Sequence, residues 1–242
     1  MTGSFAVLDY PAWHSLRGPH RRFAVPGPPD GSRAFRYRPD IAPFAAVEDP
    51  DDPQSWNALA ALTGPGDSMA VQLSPSSAHG VRRATAPTGW TVVTELLLTQ
   101  MISTIEETPG VGDPVVELTS ADVDEMLALA KLTKPGPFAR ATVDLGGYLG
   151  IRRGGRLVAM AGRRFGPPGW GEVSAVCTHP GHRGQGLSRR LVSAVTAGIR
   201  RDGNRPFLHV MHENKVAARI YESMGFVRRA DLLLTVVRPP ES

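Results

Sequence analysis

The run Val176-Cys-Thr-His-Pro-Gly-His-Arg-Gly-Gln-Gly-Leu-Ser188 sets a strand-like segment directly before a Gly/Arg loop, and that loop directly before a helix. Arg183-x-x-Gly186-x-Ser188 stands at the helix entrance. Glycines 184 and 186 let the backbone approach a ligand closely and take conformations closed to residues with a Cβ. The first N–H groups of a helix lack intrahelical partners, so an entrance of this kind can bind phosphate. It is not a Walker loop, because Gly-x-x-x-x-Gly-Lys is absent. Nor is it a dinucleotide fingerprint, because Gly184-x-Gly186 is not followed by glycine or alanine three residues on. A tight strand-to-helix turn with no ligand is the competing reading.

A second segment, Asn214-Lys-Val-Ala217-Ala-Arg-Ile-Tyr221-Glu-Ser-Met-Gly225-Phe226, follows an apolar strand at Phe207–Met211. Asn214 is suited to cap a helix, and Asn214, Ala217 and Tyr221 share one helical face at steps of three and four. Gly225 supplies the left-handed residue that closes it.

The elements that must position these residues are regular from Val115 onward. The pattern predicts a strand at Val115–Leu118, a helix at Ser120–Lys131, a short helix near Phe138–Asp144, and strands at Tyr148–Arg153 and Arg156–Arg164 joined at Gly154–Gly155. A strand at Gly171–Thr178 feeds the loop. The helix over Leu187–Arg201 carries Leu187, Leu191, Val195 and Ile199 at four-residue steps, with Arg189, Arg190 and Arg200 outside, so one face packs on a sheet. Strand Pro206–Met211, helix Asn214–Met224 and strand Phe226–Arg238 complete a mixed α/β sheet with flanking helices.

These two segments, in this order, resemble the GNAT superfamily of acyl-CoA-dependent N-acyltransferases, over roughly residues 115–238. The finer likeness is to the branch with glycine N-acyltransferase-like C-terminal domains. Ser188 departs from the family's Gly or Ala but is also small. The resemblance implies a mixed, mostly antiparallel sheet and acetyl-CoA as cosubstrate. Backbone groups of Val176, Cys177 and Thr178 would pair with the pantetheine arm, and the amides of Arg183, Gly184, Gln185, Gly186, Leu187 and Ser188 would cradle the pyrophosphate. Asn214 would bond the pantetheine, and Tyr221 would be the general acid toward the leaving thiolate. A packing tyrosine is the alternative for Tyr221.

An alkyl ammonium is protonated at neutral pH, so a base or a water relay must take its proton before attack. Glu172 begins the strand leading to the loop, where histone-acetylating members of the superfamily carry their glutamate base. Strand alternation sets it on one face with Ser174, Val176 and Thr178. A strand-end glutamate paired with a nearby arginine weighs equally. Cys177, with no base identifiable beside it, reads as core rather than nucleophile. His209 and His212 lack an acidic or thiolate partner for a metal, so no metal is expected. His179 and His182 lie in the approach to the loop.

The chain of 242 residues is long enough for one large or two small domains, and its single cysteine excludes an internal disulfide framework. Residues 151–242 hold 16 Lys/Arg against 6 Asp/Glu, and residues 1–150 hold 11 against 17. A cationic half implies a polyanion, nucleic acid or a phosphorylated cofactor, unless it is simply a solvated arginine-rich face. No recognition-helix motif supports nucleic acid. The front third is broken by PGPPDG (26–31), EDPDDPQ (48–54) and TGPGD (63–67), so its elements are short: a helix at Pro53–Leu62 behind an Asp52 cap, and strands at Ala34–Arg38, Met69–Leu73 and Thr91–Leu98.

The stretch 109–114 is a connector, giving a divergent α+β domain at 1–110, of degenerate GNAT type or otherwise, and an acyltransferase domain at 111–242. Trp13, His14, Trp56 and Trp90 would line an acceptor pocket or, by the commoner fate of tryptophan, be core. The expectation is a cytoplasmic N-acetyltransferase acting by direct attack in a ternary complex on a small-molecule or peptide amine. It has no membrane or nucleic-acid partner, and an oligomer is left open. The rival is a non-catalytic acyl-CoA-binding or sensory module.

Overall fold

The computed structural model describes residues 5–25, 32–64, 66–73, 85–105 and 112–240. The expected connector falls partly outside them, at 109–111. In chain order the elements are α1 (Pro11–Arg17), β1 (Ala34–Arg36), β2 (Phe44–Val47), α2 (Pro53–Ala60), β3 (Met69–Gln72), β4 (Thr91–Ser103) and β5 (Val115–Glu117). They continue with α3 (Val123–Thr133), β6 (Leu149–Arg153), β7 (Arg156–Arg163), β8 (Trp170–Thr178), α4 (Leu187–Arg201), β9 (Arg205–Met211), α5 (Lys215–Glu222) and β10 (Phe226–Arg238).

All ten strands form one sheet in the order β1-β2-β3-β10-β4-β9-β8-β7-β6-β5. It is mostly antiparallel, with β2–β3 and β8–β9 parallel. The sheet runs without a break across residue 110, because β4, from the front half, lies between β9 and β10.

Helix α4 buries Leu187, Leu191, Val192, Val195 and Ile199 against β7 and β8, as its spacing predicts. Each such side chain contributes about 1.5–3 kcal/mol, and truncating fully buried Leu191 to alanine would cost about 2–5 kcal/mol. Asp52 caps α2 by accepting from the Gln54 N–H at 3.0 Å, with Pro53 in the first turn. The expected helix at 120–131 is instead a 3-10 turn, Ser120–Asp122, running into α3. There the Thr119 hydroxyl accepts from the Ala121 N–H at 3.3 Å and the Asp122 carboxylate from the Thr119 N–H at 2.9 Å, and α3 closes on Lys134 in the left-handed region (φ 51°). The helix expected near 138–144 is a 3-10 helix at Arg140–Leu145.

Two features matter for the site. First, β8 and β9 pair only from Trp170–Val173 against Arg205–Leu208, and beyond that point no ladder joins them. Second, Met160 pairs with Cys177 and Gly162 with Ser174, so Ala175 and Val176 together oppose Ala161 in a bulge. Ala175 sits there at φ 53°, a conformation costing an L-residue roughly 1–2 kcal/mol. Bulges bend a strand and re-aim its groups.

Candidate active site

Where β8 and β9 part, two cavities open and meet. The first, about 440 Å³, is lined by the backbone and side chains of Val176, Cys177 and Thr178, by the loop at Arg183, Gly184 and Gly186, by Leu187 and Ser188 at the head of α4, and by the face of α5. Gly184 and Gly186 take φ 75° and 73°, and a Cβ at either would project into open space. No side chain caps α4 at Gly186, so its first N–H groups are left for the loop's contents. Arg183 is exposed and has no carboxylate partner among the described residues; its guanidinium lies 3.4 Å from the Thr178 carbonyl. On the opposite wall Val216, 73% exposed, and Ile220 present apolar surface on a helix that fully buries none of its residues. A cationic loop facing an apolar wall fits a phosphorylated ligand with an extended organic arm, and the unpaired edge of β8 offers that arm a strand to follow.

The second cavity, about 570 Å³, lies across the splay and joins both halves of the chain: Phe44, Ala70, Leu96 and Leu98 from the front, Ser174, Val176 and His209 from the back. Thr133, Val176, Ala217 and Tyr221 line both cavities. Tyr221 thus stands at the junction. Burial pushes its phenol up to about 12, and its hydroxyl has no protein partner among the described residues. Asn214 lines the second cavity, and its Oδ1 accepts from the Ala217 N–H at 3.0 Å, capping α5 as expected. Gln185 faces away from the first cavity and accepts a hydrogen bond from Arg153, which also pairs with Asp113 at 2.6 Å.

Glu172 lines neither cavity. Its side chain is closed to solvent, and both oxygens are engaged. Arg164 donates to each, through Nε at 3.0 Å and through Nη2. The Phe165 N–H donates to Oε2 at 3.1 Å, and His209 Nδ1 lies 2.8 Å from Oε1. Burial alone would raise this carboxyl, but the Arg164 guanidinium and the His209 ring overcome it and hold the group at about 2. Of the two readings open for Glu172, the geometry is that of the paired glutamate: a carboxylate so stabilised is a weak base, and it meets the cavity only through its partners Arg164 and His209.

His209, missed as a site residue, takes its place through register. Glu172 pairs with Phe207 in the parallel ladder, and His209 lies two residues further along β9. Its other nitrogen, Nε2, accepts from Gln100 Nε2 at 3.0 Å, while the Gln100 Oε1 accepts from Arg229 at 2.7 Å. Because Gln100 spends its Oε1 on Arg229, its amide donates to His209 Nε2 and leaves the His209 Nδ1–H to face Glu172. Thr133 and Arg164 also line the cavities without any mark in the sequence.

Cys177 packs in an apolar cluster, with its thiol pushed by burial up to about 11, as a core cysteine would be. Trp13 and Trp56 are core side chains, and Trp90 stacks edge-on against Trp56, so the tryptophans stay out of both cavities. His179 Nδ1 accepts from the Gly181 N–H at 3.2 Å, and His182 lines the first cavity. No group of three or more His, Cys, Asp or Glu suited to a metal occurs among the described residues, and no helix there is long and apolar enough to cross a membrane.

The FR47-like protein family matches residues 148–233. The crystal structure of a GNAT-family acetyltransferase from Novosphingobium aromaticivorans superposes with a TM-score of 0.82 at 36% identity, covering 97% of this chain and 99% of that one. A GCN5-related N-acetyltransferase from Kribbella flavida shares the fold, with a TM-score of 0.59 at 18% identity over 99% of this chain and 98% of that one. Among curated relatives, a mycothiol acetyltransferase of Thermobispora bispora is 38% identical over 94 residues, 35% of this chain and 31% of its own length. An uncharacterized protein of Mycobacterium leprae is 33% identical over 132 residues, 48% and 36%. This chain therefore spans only part of the curated relatives it matches.

Proposed function

The chain belongs to the GNAT family of acetyltransferases, and on that footing we propose that it transfers an acetyl group from acetyl-CoA to an amine by direct attack, with both bound together. The observation that carries this reading is the meeting of two cavities at Tyr221, a half-buried phenol with no protein partner among the described residues. Residues 111–242 supply the acyl-donor side, and residues 1–110 add Phe44, Ala70, Leu96 and Leu98 to the acceptor side.

Bound acetyl-CoA supplies an activated acyl thioester. The chain's own residues do the rest. Amides from Arg183 to Ser188 hold the pyrophosphate at the uncapped head of α4, and Val176 to Thr178 offer strand pairing to the arm. Tyr221, with its phenol at about 12, keeps its proton at neutral pH and holds it for the departing sulfur. The amine proton leaves through water, because Glu172 is closed off and the free lone pair of His209 is taken by Gln100. Glu172 acts as a positioning residue: it anchors Arg164 and orients His209.

The test is thiol release from acetyl-CoA against a panel of amines. Amine-dependent release with intersecting double-reciprocal lines supports direct attack. Parallel lines would mean an acyl-enzyme, and binding without release for every amine would return the chain to the acyl-CoA-binding module.

A further inference from the structure

The acceptor cavity has an uneven polarity. Its apolar wall is built from Phe44, Ala70, Leu96 and Leu98 of the front half and Leu234 and Val236 of β10, and no Asp or Glu lines the cavity among the described residues. The charged side chains that do line it, Arg164 and Lys134, are both cations. Arg164 is committed to Glu172, and its guanidinium lies 5.1 Å from the centre of the Phe44 ring. Lys134, exposed at the end of α3, has no ion-pair partner among the described residues. Glu172 has no share in the lining, and its oxygens are filled. The front half is acidic overall, yet among the described residues none of its carboxylates lines this cavity.

Moving an ammonium out of water without a counter-charge is strongly unfavourable. The reacting amine escapes that cost because it gives up its proton before attack. A second ammonium on the same molecule would meet the apolar wall, uncharged polar groups such as Ser68, Ser174 and Asn214, the Lys134 ammonium and an Arg164 already paired with Glu172, but no free carboxylate among the described residues. An apolar body, by contrast, gains from every CH₂ it buries.

The geometry points to the acceptor class: a monoamine on an apolar alkyl or arylalkyl body, to the exclusion of polyamines, amino sugars with several ammonium groups and lysine-rich peptides. This assignment rests on the transferase reading above.

A matched pair tests it. Hexylamine and 1,6-diaminohexane have equal length and differ by one terminal ammonium. Each is titrated calorimetrically into the full chain with CoA present, and acetyl-CoA is titrated separately. The expected result is hexylamine binding at least tenfold more tightly. Leu96→Asp, which sets a carboxylate in the apolar wall, should shrink that ratio about tenfold, while the uncharged Leu96→Asn leaves it. Equal or tighter binding of the diamine to the wild-type chain overturns the assignment. So does failure of both amines to bind to a chain that binds acetyl-CoA. Preferential hexylamine binding in a chain that does not bind acetyl-CoA would support the cavity's polarity and overturn the transferase reading alone.

Discussion

The Arg164 guanidinium and the Glu172 carboxylate meet through two hydrogen bonds, and the solvent-closed carboxylate completes its contacts with the Phe165 N–H on Oε2 and His209 on Oε1. Removing the charge from Glu172 strands a buried cation. Glu172→Gln should therefore lower unfolding free energy by about 3–5 kcal/mol. Denaturant unfolding measures the loss. A change below about 1 kcal/mol would show that Arg164 finds other partners.

The same pair fixes the response to acid. Glu172 falls from 4.5 to about 2 on folding, so its stabilisation is complete above pH 4.5 and is lost as the pH drops toward 2. His20 adds a window at higher pH. Burial first, then Arg22, takes its ring from 6.5 to about 4, so the folded state resists protonation that the unfolded chain accepts. Stability should be greatest above pH 6.5, fall between 6.5 and 4 through His20, and fall again below 4.5 through Glu172. His20→Gln should flatten the first slope alone. Unfolding curves from pH 8 to pH 3 would show it.

Tyr221→Phe removes a hydroxyl that no protein group contacts among the described residues, so its stability should stay within about 0.5 kcal/mol of wild type. Turnover should fall by about 10²-fold or more, with acetyl-CoA affinity unchanged within a few-fold. Stopped-time thiol release and calorimetry separate the two. Unchanged turnover would move the acid elsewhere.

Gly186→Ala places a Cβ at φ 73° in the open mouth of the loop. The backbone strain of roughly 1–2 kcal/mol and the altered amide directions should weaken acetyl-CoA binding by about tenfold or more, with kcat at saturation less affected. Calorimetry measures the first and saturation kinetics the second.

The first cavity was legible because it is local. Leu187 to Ile199 at four-residue steps, the glycines at 184 and 186, and Asn214-x-x-Ala217-x-x-x-Tyr221 each state their own geometry within one turn or one helix. The second cavity was not, because it is made by register. His209 meets Glu172 across 37 positions only through the parallel ladder, and Gln100 meets His209 across 109. Strand β2, a four-residue apolar run, is too short to show a period, and α1 has only seven residues. The bulge at Ala175 carries no glycine to announce it. β4 was expected to end at Leu98 but continues to Ser103, where its pairing with Phe226 supports it.

The placing of β4 between β9 and β10 has a bearing on synthesis. During synthesis β3 and β4 each wait for β10 before their facing edges can be covered, and β9 emerges to find its antiparallel neighbour already about a hundred residues old. Until β10 emerges, β1-β2-β3 and β4-β9-β8-β7-β6-β5 are two separate pieces of sheet with open inner edges, so a product cut short before Phe226 would carry exposed strands where the finished sheet is continuous.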